Sequence, residues 1–353
     1  MKRRLLTLAA ILSFTAVSGG NVHACTRVLY EGADNVIMTA RSMDWSSDVH
    51  SNLWVFPRGM KRNGAAGPNS VQWTSKYGSI VTAAFDAASS DGMNEKGLVA
   101  NLLYLDEAEY VKPRPDDRRL PLSISAWVQY VLDNFSSVDE AVTALRNEPV
   151  YIVPITIPDP EGNAAKLHLS ISDASGDSAI FEYIKGKLVI HHGRQYKVMT
   201  NSPTFDQQLA LTSYWETVGG EAMLPGTERP ADRFVRMSHY ISSVKKTADS
   251  NEAAAIAFSL INNASVPLGL KARPGQPNVS STLWRTVADH KNRRYYFGST
   301  HSPNIFWADL GDFNLNEGAD VQKLVLTDGG IFAGNASKAF RKAAPFGFLG
   351  PNH

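Results

Sequence analysis

Cysteine is nearly absent: 353 residues carry one, Cys25. A single thiol excludes any disulfide within the chain. Net charge is nearly absent too, with 35 Lys and Arg against 34 Asp and Glu. Such a balance gives no electrostatic reason to expect nucleic acid or an anionic membrane as a partner. After the first two dozen residues no apolar run approaches the roughly 20 residues of a spanning helix. Stable membrane insertion is therefore not expected. No G-x-G-x-x-G or phosphate-loop motif occurs, and no His/Cys spacing suits a metal. His191 and His192 are adjacent, so on a strand they face opposite ways. No cofactor is expected.

What is present begins with an export-like leader. Lys2, Arg3 and Arg4 precede the apolar run Leu5 to Val17, which Ser18-Gly19-Gly20 breaks. Val22 and Ala24 supply small residues three and one positions before a cut. This reading makes residues 1–24 a signal peptide and residues 25–353 one domain ending in a loose tail, with a periplasmic location. A buried N-terminal helix is the bland alternative. Loss of the leader removes three bases and no acids, leaving 32 against 34. The composition, 43% hydrophobic and 10% aromatic, suffices for a sizeable core.

Strand signals dominate the rest. CTRVLY and VIMTAR flank the turn EGADN, and KLHLSIS, AIFEYI and LVIHH form a meander at hairpin spacing. TLWRTVAD and YYFGST make a later hairpin. SISAWVQYVLDNF places Ile124, Trp127, Val128, Val131 and Leu132 on one helical face. Ser137 to Glu140 reads as a capping box. KPRPDDRR, from Lys112 to Arg119, reads as a surface loop. Strands with few helices between them suggest an α+β fold, sheets stacked and helices outside.

Cutting before Cys25 gives that residue a free α-amine beside its thiol. The reference pKa values are about 8.5 for the thiol and 7.7 to 8 for the amine. At neutral pH the amine can therefore take the thiol proton, which is the logic of an N-terminal nucleophile. With residues 31–35 as the loop, Tyr30 pairs with Val36 and Cys25 lies opposite Arg41 on the same face. A guanidinium there lowers the thiol pKa. Asp44 is placed past the strand end, able to hold the α-amine or to pair with Arg41. The bland readings are a small buried hydrophobe and a plain ion pair. A lipid-acylated cysteine is a third reading, although Val22 and His23 depart from the usual lipoprotein pattern.

Five ordered segments, CTRVLY, ARSMDW, DGMNEKG, VMTNSPTF and DRFVR, resemble the choloylglycine hydrolase family of N-terminal-nucleophile hydrolases. That family includes penicillin V acylases and conjugated bile salt hydrolases. SNLWVFPRGM and WTSKYGS are most similar to its Gram-negative branch. The resemblance implies a four-layer αββα sandwich of two antiparallel sheets. It also implies Cys25 as nucleophile and its amine as base, with Arg41 and Asp44 positioning and tuning them. Asn201 would donate its side-chain amide to the oxyanion, the Tyr104 main-chain N–H would be the other donor, and Arg233 would complete the polar cluster. Asn201 otherwise reads as an Asx-turn before Pro203, and Arg233 as a surface charge at a helix end. A homotetramer is the family default.

The expected substrate is a small linear amide with an apolar acyl group. Trp45, Leu103 and Tyr104 are its candidate binding residues, and Trp54 and Trp73 add aromatic bulk that core packing explains equally well. Tyr104, where several bile salt hydrolases carry asparagine, leans toward penicillin V acylase over bile salt hydrolase. N-acyl homoserine lactones and conjugated bile acids stay open. The rival class is a non-catalytic periplasmic binding protein or lipoprotein.

Overall fold

The computed structural model describes residues 25–219, 222–270 and 280–351. The leader expected over residues 1–24 lies outside the described residues. Strands come first: β1 (Thr26–Glu31), β2 (Ile37–Trp45), β3 (Asn52–Phe56), β4 (Lys61–Asn63), β5 (Gln72–Thr74), β6 (Ser79–Ala84), β7 (Ala88–Asn94), β8 (Val99–Tyr104) and β9 (Leu120–Ser123). Helices α1 (Trp127–Asn134) and α2 (Val138–Leu145) precede β10 (Val150–Val153), β11 (Leu167–Ser172), β12 (Ser178–Ile184), β13 (Lys187–His192) and β14 (Val198–Met199). Three helices follow: α3 (Phe205–Val218), α4 (Pro230–Ser243) and α5 (Ser250–Ala264). The chain closes with β15 (Ser281–Asp289), β16 (Arg294–Ser299), β17 (Ile305–Asp309), β18 (Gln322–Leu324), β19 (Gly334–Asn335) and β20 (Arg341–Lys342).

Seven strands form one sheet in the order β14-β1-β2-β15-β16-β17-β19, and nine form the other, β13-β12-β11-β8-β7-β6-β3-β18-β20. Within these two sheets pairing is antiparallel apart from the edge pair β17–β19, while β9 and β10 pair in parallel in a two-stranded ribbon of their own. Helices α4 and α5 cover the first sheet over β1, β2 and β15, and α1 and α2 cover the second. The result is the expected α+β arrangement of helices, sheet, sheet and helices. Ile124, Trp127, Val128, Val131 and Leu132 are all buried, as their spacing requires. The Ser137 hydroxyl accepts from the Glu140 N–H at 3.2 Å, while the Glu140 carboxylate reaches back to Ser136.

Strand β2 shows why this architecture suits chemistry. Layers on both faces bury all nine of its residues, IMTARSMDW, including Arg41, Ser42 and Asp44. A polar group so placed must find a partner. Of the two readings open to the early tryptophans, the core one holds for Trp54 and Trp73. Trp54 and Trp73 lie in the core between the second sheet and its helices, with their indole N–H groups on Asp86 and Asp133. The Ala343 to Leu349 stretch packs on that same core. The β1–β2 register differs from the expected one.

That register is set by the turn. Asp34 and Asn35 are both left-handed (φ 51 and 58), and the Val36 N–H closes on the Ala33 carbonyl at 3.0 Å. The Gly32 N–H then bonds the Val36 carbonyl at 2.8 Å, so pairing resumes at Glu31 and Ile37. Arg27, not Cys25, stands opposite Arg41. The slip is two residues along β2, an even number, so Cys25 and Arg41 keep the same face.

Candidate active site at the head of the first strand

Cys25 is 2% exposed and immediately precedes β1. Its Sγ accepts from the Asp44 N–H at 3.5 Å and donates toward the Asp44 carbonyl at 3.7 Å. Burial pushes the thiol above its ordinary value. Arg41 and Arg233 pull it down, and the Asp44 charge adds to the rise. Arg41 thus acts in the expected direction, but burial outweighs it.

Asp44 lies inside β2 rather than past its end. Residues 41 and 44 alternate across the strand, so the two side chains face opposite layers. The Asp44 carboxylate accepts from Thr282 Oγ1 at 2.5 Å and Ser42 Oγ at 3.4 Å. Burial lifts its carboxyl to about 6, against the pull of Arg233, Thr282, Arg41 and Ser42. Arg41 instead points between the sheets. Its Nη2 donates to the Leu102 carbonyl at 2.8 Å, its Nε lies 3.9 Å from Asp91, and its guanidinium covers the Trp284 ring at 4.6 Å.

Arg233 carries the connection to Asn201. It is fully buried on α4, because the amphipathic pattern of that helix turns it inward with Phe234 and Met237. Its Nη1 donates to the Cys25 carbonyl at 2.7 Å and to the Thr26 hydroxyl, and its Nη2 donates to Asn201 Oδ1 at 3.1 Å. A guanidinium only donates, so it fixes which end of the Asn201 amide faces it. Asn201 Nδ2 therefore points the other way and donates to the Tyr104 carbonyl at 2.7 Å. An amide NH₂ has two protons, and that contact uses one. The Leu105 N–H bonds Lys166 on β11's side. By strand alternation, the Tyr104 N–H points with its carbonyl toward Asn201.

The segment before Asn201 is anchored from below. His168 bonds the Thr200 carbonyl at 2.8 Å and Glu182 at 3.1 Å. Glu182 also accepts from the Phe205 N–H that opens α3. Burial opposes the charge on Glu182, yet the His168 and His191 hydrogen bonds hold its carboxyl at about 2.

A cleft of about 100 Å³ opens on Cys25. Cys25, Arg41 and Met43 line it from the first sheet, and Phe85, Leu102 and Tyr104 from the second. Trp45 lines it as well, its indole N–H on Asp159 at 2.9 Å and its ring edge-on to Tyr104 at 5.7 Å. Leu103 does not reach it. The side chain belongs to the core between the sheets, and its neighbour Leu102 takes the place on the wall. Among the described residues, no group of three His, Cys, Asp or Glu could hold a metal, and no helix is long and apolar enough to cross a membrane.

Residues 25–327 match the family model described as linear amide C–N hydrolases, choloylglycine hydrolase family. The chain belongs to the choloylglycine hydrolase family. As a member it is an enzyme that hydrolyses linear amide C–N bonds. Penicillin V acylase of Pectobacterium atrosepticum is 49% identical, with 99% of this chain and 98% of that protein covered. The solved penicillin V acylase of Agrobacterium tumefaciens is 54% identical, with a TM-score of 0.85 over 92% of this chain and 100% of that one. The bile salt hydrolase/transferase of Clostridium perfringens is more distant, at 27% identity over 83% of this chain and 94% of that protein. A cysteine-to-alanine mutant of conjugated bile acid hydrolase from that organism superimposes with a TM-score of 0.72 at 26% identity, over 85% of this chain and 96% of that one.

Against this family background, Asp91 is the residue sequence reasoning passed over. DGMNEKG begins with it, and the resemblance assigns that segment no role. It accepts from Asn101 Nδ2 at 2.6 Å and from Tyr295, and it faces Arg41 across the sheets. Thr282 was missed as well. A lone threonine in a strand gives no local signal, and only the β2–β15 pairing brings it opposite Asp44.

Proposed function

We propose that this hydrolase is a penicillin V acylase-like amidase that works through Cys25 as its N-terminal residue. The carrying observation is the Arg233 guanidinium, which bonds both the Cys25 carbonyl and the Asn201 amide. It ties nucleophile and oxyanion donor into one unit. Removal of the leader, in an exported periplasmic protein, frees the α-amine of Cys25. The neutral amine takes the thiol proton, and the thiolate attacks the amide carbonyl carbon. The second Asn201 N–H and the Tyr104 main-chain N–H receive the oxyanion. The resulting ammonium returns its proton to the departing nitrogen as the C–N bond breaks, leaving a thioester. Water, deprotonated by the same amine, then releases the acid and restores the thiol. Arg41 favours the thiolate, Asp44 steadies the ammonium, and Arg233 positions Asn201.

Met43, Trp45 and Phe85 make the cleft apolar, which suits an aryl or alkyl acyl group and supports phenoxyacetyl amides, with N-acyl homoserine lactones as a second class. Parallel rates on penicillin V, an acyl homoserine lactone and glycocholate test the assignment. Fastest turnover of penicillin V supports it, and fastest turnover of glycocholate overturns it in favour of a conjugated bile salt hydrolase. The homotetramer expected from the resemblance belongs to this reading and is tested by light scattering.

A further inference from the structure

The last described stretch of the chain reaches the cleft. After β20 at the edge of the second sheet, Phe346 packs edge-on against Trp54 and Phe56 at 5.2 and 5.5 Å, and Phe348 stacks on Trp73 at 6.4 Å. Leu349 is then pinned from three sides. Its N–H donates to the Ala87 carbonyl at 3.0 Å, and its carbonyl accepts from Ser123 Oγ at 2.5 Å and Ser125 Oγ at 2.8 Å. Both serines are buried. Leu349 lines the same cleft as Cys25. These residues lie beyond the stretch matched by the family model, which ends at residue 327.

The seat is rigid. Ala87 follows the β6–β7 turn, in which Phe85 and Asp86 are both left-handed (φ 55 and 48). A bulky residue holds that conformation only where its surroundings over-determine it. Here Asn52, the Trp54 indole N–H and Lys323 all converge on the Asp86 carboxylate. Phe85 and Leu349 both line the cleft, the first held by this turn and the second by the strap's hydrogen bonds, while the thiol comes from the head of the first strand.

We propose that the C-terminal strap is a specificity element, and that Leu349, which lines the same cleft as Phe85, sets the length of acyl group the cleft admits. The inference rests on the amidase reading, in which the scissile carbonyl sits at Cys25 and the acyl group runs along the apolar cleft. In a pocket of this kind a methylene gained or lost changes kcat/KM by roughly 10- to 200-fold. The wall therefore discriminates by chain length.

The test uses the mature protein and straight-chain N-acyl derivatives of 6-aminopenicillanic acid, from butanoyl to dodecanoyl. Leu349→Trp is expected to lower kcat/KM on the longest accepted acyl group by about tenfold or more relative to butanoyl. Leu349→Ala shifts the preference toward longer chains, and Phe346→Ala, which unseats the strap outside the cleft, shifts it the same way. The readout is a ratio between substrates on one preparation, so a partly unfolded sample does not distort it. Equal fold-changes along the series, or none, overturn the strap's role while leaving the amidase reading intact. A wild-type protein inert on the whole series overturns the penicillin V acylase-like reading and this inference with it.

Discussion

Asn201→Ala removes one side chain and breaks three relationships, of which two are visible in the structure. Arg233 Nη2 loses its acceptor and the Tyr104 carbonyl loses its donor. A neutral buried group left unpaired costs about 1–3 kcal/mol and the charged guanidinium more, which is several degrees of Tm for a protein of this size. The third relationship exists only during reaction, when the remaining amide proton meets the oxyanion. Loss of one such donor costs about 2.7–4 kcal/mol, or 10²–10³ in kcat. Asn201→Asp separates the two effects. It keeps an oxygen for Arg233 but replaces the donor with an acceptor, so kcat falls at least as far while Arg233 stays partnered. The assay is steady-state kinetics beside thermal melting on both variants. A folded Asn201→Ala protein with kcat within about threefold of wild type would refute the oxyanion assignment.

Two further outcomes follow from the buried charges. Arg41→Met removes the counter-charge 3.9 Å from Asp91, which keeps its Asn101 and Tyr295 hydrogen bonds, so the loss is at most the about 3–5 kcal/mol of a broken buried pair, and thiol alkylation slows near neutral pH. Adding Asp91→Asn should recover the melting temperature but not the alkylation rate, and recovery of both would show that Arg41 is merely structural. Asp44 titrates at about 6 in the fold, above the roughly 3.9 of an unfolded aspartate. Its ionised form is therefore disfavoured in the fold, and stability is gained as pH falls through 6 toward 4. Asp44→Asn in the unprocessed chain is expected to raise Tm at pH 7.5 and to leave it nearly unchanged at pH 4. An equal shift at both values contradicts the burial argument.

The parts of this site readable from sequence are those whose chemistry is local. Cys25 stood out because it is the single thiol behind an export-like leader, and CTRVLY, ARSMDW and VMTNSPTF carried Arg41, Asp44 and Asn201 by resemblance. Alternation correctly put Cys25 and Arg41 on one face. It could not fix their pairing, because the left-handed Asp34-Asn35 turn moves the register by two residues. The same rule, applied to β2, would have separated Arg41 from Asp44 had the strand been drawn long enough to include Asp44. DRFVR carried Arg233 by resemblance too, whereas the residues alone also allowed a helix-end charge, because burial of an arginine depends on the layer packed above it. Leu349 gave no signal at all. A short apolar tail becomes a wall only when Ser123, Ser125 and Ala87, remote in sequence, converge to hold it.

The account stands most directly on the chemical state of Cys25 in the active protein. Intact-mass measurement of the active enzyme, before and after a rapid quench with penicillin V, reads it in one experiment. A chain beginning at unmodified Cys25, with a phenoxyacetyl adduct that is lost in Cys25→Ala, is the expected result. Full activity in a protein whose Cys25 nitrogen is still blocked or acylated would contradict it.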